Sequence, residues 1–225
     1  MPTLFGRDID LLCLDMDDTL IDTEGGVFDR FQDATRTIRE IRPDIEPAMI
    51  QRVIDRVTGV DPNSGRFATF VADLGIVDPA EVQVVRDSYF TRMLDVDLFE
   101  GVHEVLAALR ERFRLAIITN GPSELQRRKV AAFDFEERVD WIVISGEVGV
   151  DKPDPAIFEH TLRLADVAPG RAAHVGDSLL ADIAGANRAG LLPIWLETHF
   201  PRSQPAGEEY RPAHTIQHVR ELLEA

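Results

Sequence analysis

The sequence predicts an α/β fold: a Rossmann-like core of about five parallel strands, with an inserted all-helical cap subdomain. From Phe99 onward, short apolar runs alternate with segments of helical spacing, and one further apolar run lies near the N-terminus. Residues 24 to 96, between these parts, have helical spacing and no convincing strand. Short apolar runs joined by helices are typical of a parallel sheet covered by helices on both faces.

The core elements follow from this alternation. The predicted strands are Ile9 to Asp15, Arg114 to Thr119, Trp141 to Ile144, Ala172 to Gly176 and Leu192 to Leu196. The predicted helices are Val102 to Arg112, Ser123 to Phe133, Pro155 to Ala165, Leu179 to Ala189 and, at the C-terminus, Thr215 to Leu223.

The insert is predicted to be helical throughout, with prolines and glycines between its helices. The predicted helices are Val27 to Ile41, Pro47 to Val57, Arg66 to Leu74 and Pro79 to Leu94. We therefore expect an α/β core of residues 1–22 and 97–225 and a helical cap of residues 23–96.

Composition narrows the classes of function. The 225 residues are 44% apolar, enough to bury a core, and carry a formal net charge of −16, which argues against binding to nucleic acid. No stretch approaches the ~20 apolar residues that span a bilayer, and the N-terminus lacks the pattern of a secretory signal. The single cysteine, Cys13, excludes an internal disulfide and favours a reducing cytoplasm. The oligomeric state stays open.

Polar residues follow the ends of several predicted strands. The first strand ends at Asp15 and continues into DMDDTL, the second ends in TNG, DKPDP follows the third, and GDSLLAD follows the fourth. The residues concerned are Asp15, Asp17, Thr19, Thr119, Asn120, Gly121, Lys152, Asp177 and Asp182. Ligands of open parallel sheets bind at the carboxyl ends of the strands, so we expect these side chains to line one crevice.

The acidic members of this group predict a metal site. Asp15, Asp17, Asp177 and Asp182 would place several carboxylates close together, where they would repel one another. A hard divalent cation relieves this repulsion. Mg²⁺ prefers oxygen ligands and normally uses one or two carboxylates together with water and substrate phosphate, so Mg²⁺ is the expected cofactor.

The same group has the parts needed for phosphoryl transfer. Asp15 can attack phosphorus to form an aspartyl phosphate, and Asp17 can protonate the leaving alcohol and later deprotonate the attacking water. Thr19 can orient Asp17. The candidates for binding the phosphate oxygens are Thr119, Asn120, Gly121 and Lys152. A small-molecule phosphate ester is the expected substrate.

Lysine is rare in this chain. All the basic residues are arginine except Lys129 and Lys152. An ammonium is a compact point charge and a guanidinium is a planar fork, and some sites accept only the ammonium. Each remaining lysine therefore carries more information than usual. Lys152, beside the motif residues, is therefore a candidate catalytic residue.

These motifs resemble those of the haloacid dehalogenase superfamily, in its large phosphatase branch, over nearly the whole chain. The family's Asp-x-Asp-x-Thr is matched by Asp15, Asp17 and Thr19, with Asp18 where the family most often has Gly. The other three motifs are matched by Thr119, by Lys152 with Pro153, and by Gly176, Asp177 and Ser178 with Asp182.

The resemblance implies a ligand set and a cap. In relatives the metal is held by the nucleophile's carboxylate, the main-chain carbonyl of the second Asp and the acid of the fourth motif, which correspond to Asp15, Asp17 and Asp177. Asp182 would support them. A single helical cap implies small substrates such as sugar phosphates, phosphoglycolate or nucleoside monophosphates. We expect the loop from Thr58 to Arg66 to influence specificity, with Arg66 meeting an anionic part of the substrate.

Other readings stay open. A haloacid dehalogenase has no leaving alcohol to protonate and typically lacks the second Asp, so Asp17 disfavours that activity. Sugar phosphomutases of this family use His and Lys from the cap, and residues 24 to 96 contain neither. A catalytically inactive binding domain is also disfavoured, because every motif position is filled.

Overall fold

The structure is a computed structural model that describes residues 2–59, 65–91, 94–198 and 205–225. These residues form two compact units. The core unit contains residues 2–22, 98–198 and 205–225, and the helical unit contains residues 23–59, 65–91 and 94–97.

The core unit is built on a parallel sheet of six strands, which confirms the predicted α/β class and adds one strand to the expected five. A short antiparallel pair, β1 (Thr3–Leu4) and β2 (Arg7–Asp8), precedes the sheet. The sheet strands are β3 (Leu11–Leu14), β4 (Arg114–Thr119), β5 (Trp141–Ile144), β6 (Ala172–Gly176), β7 (Leu192–Leu196) and β8 (His214–Ile216).

The strand order places the first sheet strand in the middle. The order is β5-β4-β3-β6-β7-β8, and every neighbouring pair is parallel. Cys13 of β3 lies in register with Ala116 of β4 and with His174 of β6. The chain therefore fills the sheet first to one side of β3 and then to the other. The crevice at such a reversal is where doubly wound α/β folds bind ligands.

The C-terminal segment corrects one sequence prediction. Thr215 to Leu223 was expected to be a helix, but His214–Ile216 is the sixth strand, paired with β7, and a 3-10 helix follows at Val219–Leu223. A short run with β-branched Thr215 and Ile216 can serve as a strand or as part of a helix. Hydrogen bonding to the edge of β7 stabilises His214–Ile216 as a strand.

The helical unit contains four helices, as expected from the spacing of its apolar residues. They are α1 (Val27–Ile41), α2 (Pro47–Thr58), α3 (Arg66–Asp73) and α4 (Pro79–Phe90). Both α2 and α4 begin with proline, whose missing N–H costs nothing at a first helical position, and Asp78 caps α4 by accepting from Ala80 N and Glu81 N. The unit's own core includes the edge-on pairs of Phe31 with Phe70 and Tyr89.

The core unit's helices cover the sheet. They are α5 (Val102–Arg110), α6 (Ser123–Ala132), α7 (Phe135–Arg138), α8 (Ser145–Val148), α9 (Pro155–Ala165) and α10 (Ala184–Ala189). A π-helical turn, Leu179–Ile183, leads into α10. On one face of the sheet, Cys13 and Ile118 belong to the same buried cluster as Phe158 of α9. Within the described part of the chain, every helix is too short or too polar to cross a membrane.

Candidate active site

The polar residues predicted to converge follow three adjacent strands. Asp15 follows β3 directly, and its backbone N–H donates to Val175 O of β6 at 2.9 Å. Thr119 is the last residue of β4, and Asp177 follows β6. Since β3 lies between β4 and β6, these residues share the carboxyl edge of the sheet at its topological switch point.

A tight turn after β3 places Asp17 beside Asp15. Leu20 N and Ile21 N both donate to Met16 O, at 2.9 and 3.0 Å. Asp18 adopts a left-handed conformation with φ of 57°, which glycine adopts freely and which Asp tolerates better than most residues. This backbone requirement explains why glycine is frequent at that position in the family that the sequence resembles.

Lys152 is the centre of a buried polar cluster. Its Nζ donates to Asp15 Oδ1 at 2.6 Å, to Asp182 Oδ1 at 2.7 Å and to the main-chain carbonyl of Ile118 at 2.8 Å. The Lys152 side chain is 2% exposed. All three ammonium protons therefore have an oxygen partner, which is the condition under which a buried charge is tolerated.

The charged groups in this cluster shift one another's pKa values. Burial raises the pKa of Asp15 to about 7, against the opposing effect of Lys152. Burial alone would raise the pKa of Asp182, but Lys152 and His174 outweigh it and hold that pKa well below its usual range. The two carboxylates in turn outweigh the burial of Lys152 and raise its pKa. Asp15 and Asp182 thus share the positive charge of Lys152. A further cation near Asp15 would favour the ionised form of its carboxyl group.

Asp182 is held firmly from several sides. Beyond its contact with Lys152, its Oδ1 lies 2.9 Å from His174 Nε2, and its Oδ2 accepts from Ser178 N at 3.0 Å. A Cβ on Gly176 would come within 2.2 Å of the Asp182 side chain, so glycine is required there for close approach. His174 is fully buried and packs edge-on against Phe158.

Asn120 and Gly121 contact protein groups. The Asn120 side chain makes two hydrogen bonds with the backbone of Lys152, donating to its carbonyl at 2.9 Å and accepting from its N–H at 2.8 Å. The Gly121 N–H donates to Ser145 Oγ at 3.0 Å. The amide of Asn120 therefore fixes the loop that carries Lys152. Phosphate binding by Asn120 and Gly121 stays a prediction.

Three of the acids could hold a metal ion. Asp15, Asp177 and Asp182 each offer a carboxylate oxygen, and these atoms lie within 4.8 Å of one another. Both oxygens of Asp182 are already engaged by Lys152, His174 and Ser178, so Asp15 and Asp177 are the better candidate ligands. A buried set of hard oxygen donors fits Mg²⁺, which typically takes one or two carboxylates.

Asp17 is held by two residues that the sequence analysis did not assign to the site. Lys129 Nζ contacts Asp17 Oδ1 at 2.5 Å, and Gln126 Nε2 donates to Asp17 Oδ2 at 2.8 Å. Gln126 Nε2 also contacts Thr119 Oγ1 at 2.6 Å. The scarcity of lysine in the sequence is a signal that points to Lys129 as well as to Lys152.

Thr19 was expected to orient Asp17. Its side chain is fully buried, and within the described ranges its Oγ1 has no hydrogen-bond partner. Thr19 lies at a cleft of about 510 Å³ lined also by Phe99, Glu197 and His218. The Asp17 carboxylate contacts Gln126 and Lys129 of α6, and the role of Thr19 toward Asp17 stays a prediction.

Arg66, the predicted specificity residue, belongs to the helical unit. It is buried, forms an ion pair with Glu24 and donates to Thr58 O at 3.4 Å. Residues 60–64 of the predicted specificity loop lie outside the described residues. The role of Arg66 toward substrate stays a prediction.

Comparison with known proteins agrees with this fold. Residues 9–190 match the haloacid dehalogenase-like hydrolase family. This match covers well over half of the chain, so the protein belongs to that family, as the motifs had indicated.

Among characterised relatives, the chain is 33% identical to pyrimidine 5′-nucleotidase YjjG of Escherichia coli over 74% of this chain and 72% of that protein. It is 32% identical to phosphoserine phosphatase of Thermus thermophilus over 64% of this chain and 57% of that protein. The chain thus matches little more than half the length of the second relative.

A solved structure supports the fold. The crystal structure of a predicted phosphoglycolate phosphatase from Haemophilus somnus has a TM-score of 0.75 to this chain at 19% identity, covering 97% of this chain and 98% of the other.

Proposed function

We propose that this protein is a Mg²⁺-dependent phosphatase that hydrolyses a small-molecule phosphate monoester through an aspartyl phosphate on Asp15. The observation that carries the proposal is the pairing of both lysines of the chain with the first two motif acids: Lys152 with Asp15, and Lys129 with Asp17. The Asp15 carboxylate lies beside the ammonium of Lys152, a cation suited to binding phosphate. The Asp17 carboxylate, two residues further along the chain, is partly exposed and can exchange protons.

The first half of the reaction forms the acyl phosphate. An Asp15 carboxylate oxygen attacks phosphorus, and the bond between phosphorus and the ester oxygen breaks. Asp17 donates its proton to that oxygen, so that the alcohol leaves neutral. Thr119 Oγ1 and Lys152 Nζ are the candidate groups for binding the equatorial phosphate oxygens.

The second half restores the enzyme. Asp17, now a carboxylate, takes a proton from a water molecule that attacks phosphorus, and the bond between phosphorus and the Asp15 oxygen breaks. Inorganic phosphate leaves, and both aspartates return to their initial states. One residue serves as acid in the first step and as base in the second, as the proton balance requires.

A magnesium ion would be held by the carboxylates of Asp15 and Asp177 and by the main-chain carbonyl of Asp17. When bound, it neutralises the phosphate oxygens beside the nucleophile. Trp195 Nε1 donates to Asp177 O at 2.8 Å and so supports the segment that carries this ligand. The raised pKa of Asp15 without a metal is consistent with a site built for an additional cation.

The substrate class follows from the family and from relatives. Curated relatives act, by their names, on phosphoserine and on pyrimidine nucleotides, and we propose a small monoester of comparable size. The helical unit is the proposed cap. A reducing cytoplasm remains our proposed location, because a chain with a single cysteine cannot form an internal disulfide.

The test is phosphate release from a panel of monoesters: phosphoserine, a nucleoside 5′-monophosphate, phosphoglycolate and a hexose phosphate. We expect release with Mg²⁺ and none with chelator. The enzyme should also be assayed for isomerisation of the hexose phosphate and for halide release from a 2-haloacid. Isomerisation or halide release without phosphate release would replace this proposal by a phosphomutase or a dehalogenase.

Asp15→Asn is the matched variant for the covalent step. It keeps the size of the side chain and removes the nucleophilic charge, so we expect turnover to be abolished while the circular dichroism spectrum and melting temperature stay close to those of the wild type. Wild-type enzyme quenched in acid during turnover should carry phosphate on the peptide that contains Asp15. Substantial turnover by the variant would contradict the assignment of the nucleophile.

A further inference from the structure

Two residues of α6 converge on the carboxylate of Asp17. Gln126 and Lys129 are three residues apart and therefore lie on the same face of the helix. Lys129 Nζ contacts Oδ1 of Asp17, and Gln126 Nε2 contacts Oδ2 at 2.8 Å. Each oxygen of the carboxylate therefore has its own donor, which restricts rotation of the Asp17 side chain.

The burial of these donors shows that the arrangement is built into the fold. The Lys129 side chain is 2% exposed and Gln126 is 1% exposed, whereas the Asp17 side chain is 26% exposed. A buried ammonium is costly unless it is paired. In a chain whose other basic residues apart from Lys152 are arginine, a buried lysine indicates that a compact charge is needed at this position.

Gln126 also connects Asp17 to the candidate phosphate site. Its Nε2 lies 2.6 Å from Thr119 Oγ1 and 3.1 Å from Asn120 O, as well as near Asp17. The orientation of Asp17 is therefore coupled to the end of β4, where the phosphate is expected to bind. Such support of a reactive group by packed polar residues is what keeps it within reach of the reacting atoms.

We propose that Lys129 and Gln126 are positioning residues that hold Asp17 toward the ester oxygen, and that they thereby set how well the enzyme cleaves esters of poor leaving groups. The inference rests on the proposed phosphatase function. As the bond between phosphorus and the ester oxygen breaks, the proton of Asp17 passes to that oxygen, and the resulting carboxylate remains bound between Lys129 and Gln126.

The leaving group provides the test. An alkyl phosphate needs its departing oxygen protonated, whereas p-nitrophenolate leaves without a proton. We compare kcat/KM for an alkyl phosphate and for p-nitrophenyl phosphate in wild type and in Lys129→Met. Because general acid catalysis contributes about 10²–10⁴-fold, we expect a loss of at least about 100-fold on the alkyl ester and less than about 10-fold on the aryl ester. Gln126→Leu should show the same asymmetry with a smaller loss.

Arg128→Met is the matched control. Arg128 is the neighbouring residue on the same helix and is exposed, so this variant removes one positive charge from α6 without touching Asp17. Both esters should keep wild-type kcat/KM. In an Asp17→Asn background, Lys129→Met should cause no additional loss on p-nitrophenyl phosphate, since Lys129 acts through Asp17.

Equal losses on the two esters in Lys129→Met would overturn the inference, since they would indicate a general packing role, and would leave the proposed function intact as long as the wild type turns over. A wild type inactive on every ester would overturn both. If Lys129→Met does not fold, as judged by circular dichroism, Gln126→Leu decides by the same comparison: equal losses on the two esters overturn the inference, and the asymmetry supports it.

Discussion

Lys152 Nζ contacts three oxygen atoms from three different segments of the chain: Asp15 after β3, Ile118 in β4 and Asp182 in the turn before α10. These distances of 2.6 to 2.8 Å suit a single nitrogen with three protons. A guanidinium spreads its donors over a larger plane and cannot occupy the same point. The Lys152 site therefore selects for shape as well as for charge.

Lys152→Arg should accordingly be severely impaired although the charge is kept. We expect kcat to fall by at least about 100-fold, the effect typical of losing one preorganised electrostatic contact in a transition state. Steady-state phosphate release at saturating substrate measures it. Circular dichroism and a thermal melt serve as the folding control. A near-normal rate would show that a point charge is not required at this position.

At the scale of elements, α8 is attached to α6 by one surface cluster. Arg127 of α6 makes two parallel contacts with Glu147 of α8, Nε to Oε1 at 2.8 Å and Nη2 to Oε2 at 2.6 Å, and Ser123 Oγ donates to Oε1 at 2.6 Å. The hydrogen bond from Arg127, followed by that from Ser123, lowers the pKa of Glu147 to about 2. Bidentate pairs of this kind are stronger than single contacts.

This shift predicts a pH-dependent contribution to stability. The folded-state pKa of about 2 lies below the ordinary value of 4.5, so the contribution is complete above pH 4.5 and is lost as pH falls toward 2. The Glu147 side chain is 33% exposed, and solvent screening limits the pair to about 1 kcal/mol or less. Urea unfolding of wild type and Glu147→Gln should differ at pH 6, with the gap narrowing toward pH 3.

Glu136→Gln is the control for this measurement. Glu136 contacts the same Arg127 through a single 3.3 Å hydrogen bond and is 69% exposed. The change in unfolding free energy should be smaller than for Glu147→Gln at pH 6. A Glu147→Gln gap that stays constant from pH 6 to pH 3 would show that the carboxylate charge does not stabilise the contact between α6 and α8.

The sequence was sufficient for the elements whose periodicity is strong. Amphipathic spacing located the helices of the helical unit, and continuous apolar runs located the first five strands of the sheet, because these patterns reflect which face of an element is buried. His214–Ile216 was missed because a three-residue run has too little periodicity. Its conformation depends on pairing with β7, a contact between segments that local sequence does not encode.

The residues of the candidate site also divide into those that the sequence could predict and those that it could not. Asp15, Thr119 and Asp177 could be placed together because parallel strands bring their carboxyl ends to one edge. Gln126 and Lys129 could not, because their contact with Asp17 depends on how α6 is rotated against the sheet. The contact of the Asn120 side chain with the Lys152 backbone likewise depends on the path of a loop, which motif spacing does not fix.

At the scale of the whole molecule, the formal net charge of −16 makes every cation stabilising to some degree, because screening reduces the self-repulsion of the folded chain. A specific magnesium site must be separated from this general effect. The candidate ligand Asp177 offers the means, since it is buried beside Asp15 and Asp182 and one atom distinguishes Asp from Asn.

Mg²⁺ should stabilise the wild type through this site, independently of any activity. A ligand that binds only the folded state adds about 2.7 kcal/mol at a concentration one hundred times its Kd. We expect the melting temperature to rise with Mg²⁺ well beyond the rise produced by NaCl of equal ionic strength. Asp177→Asn should lose the excess and keep the part due to screening, and isothermal titration calorimetry should show one binding site in the wild type and none in the variant.

Without Mg²⁺, the order of stability of the wild type and Asp177→Asn should be the reverse of their order with Mg²⁺. Without Mg²⁺, the wild type confines the Asp177 carboxylate beside two others, and ionised carboxylates at such distances repel one another. Asp177→Asn removes one of these charges, so it should melt at the same temperature as the wild type or higher in chelator, and at a lower temperature than the wild type in saturating Mg²⁺. A variant less stable than the wild type in both conditions would mean that Asp177 supports the fold irrespective of metal. A variant that keeps the full Mg²⁺ effect would mean that the ion binds elsewhere. A reversal of the order of the two melting temperatures between chelator and Mg²⁺ would thus indicate that the folded protein retains electrostatic repulsion among these carboxylates because a cation relieves it.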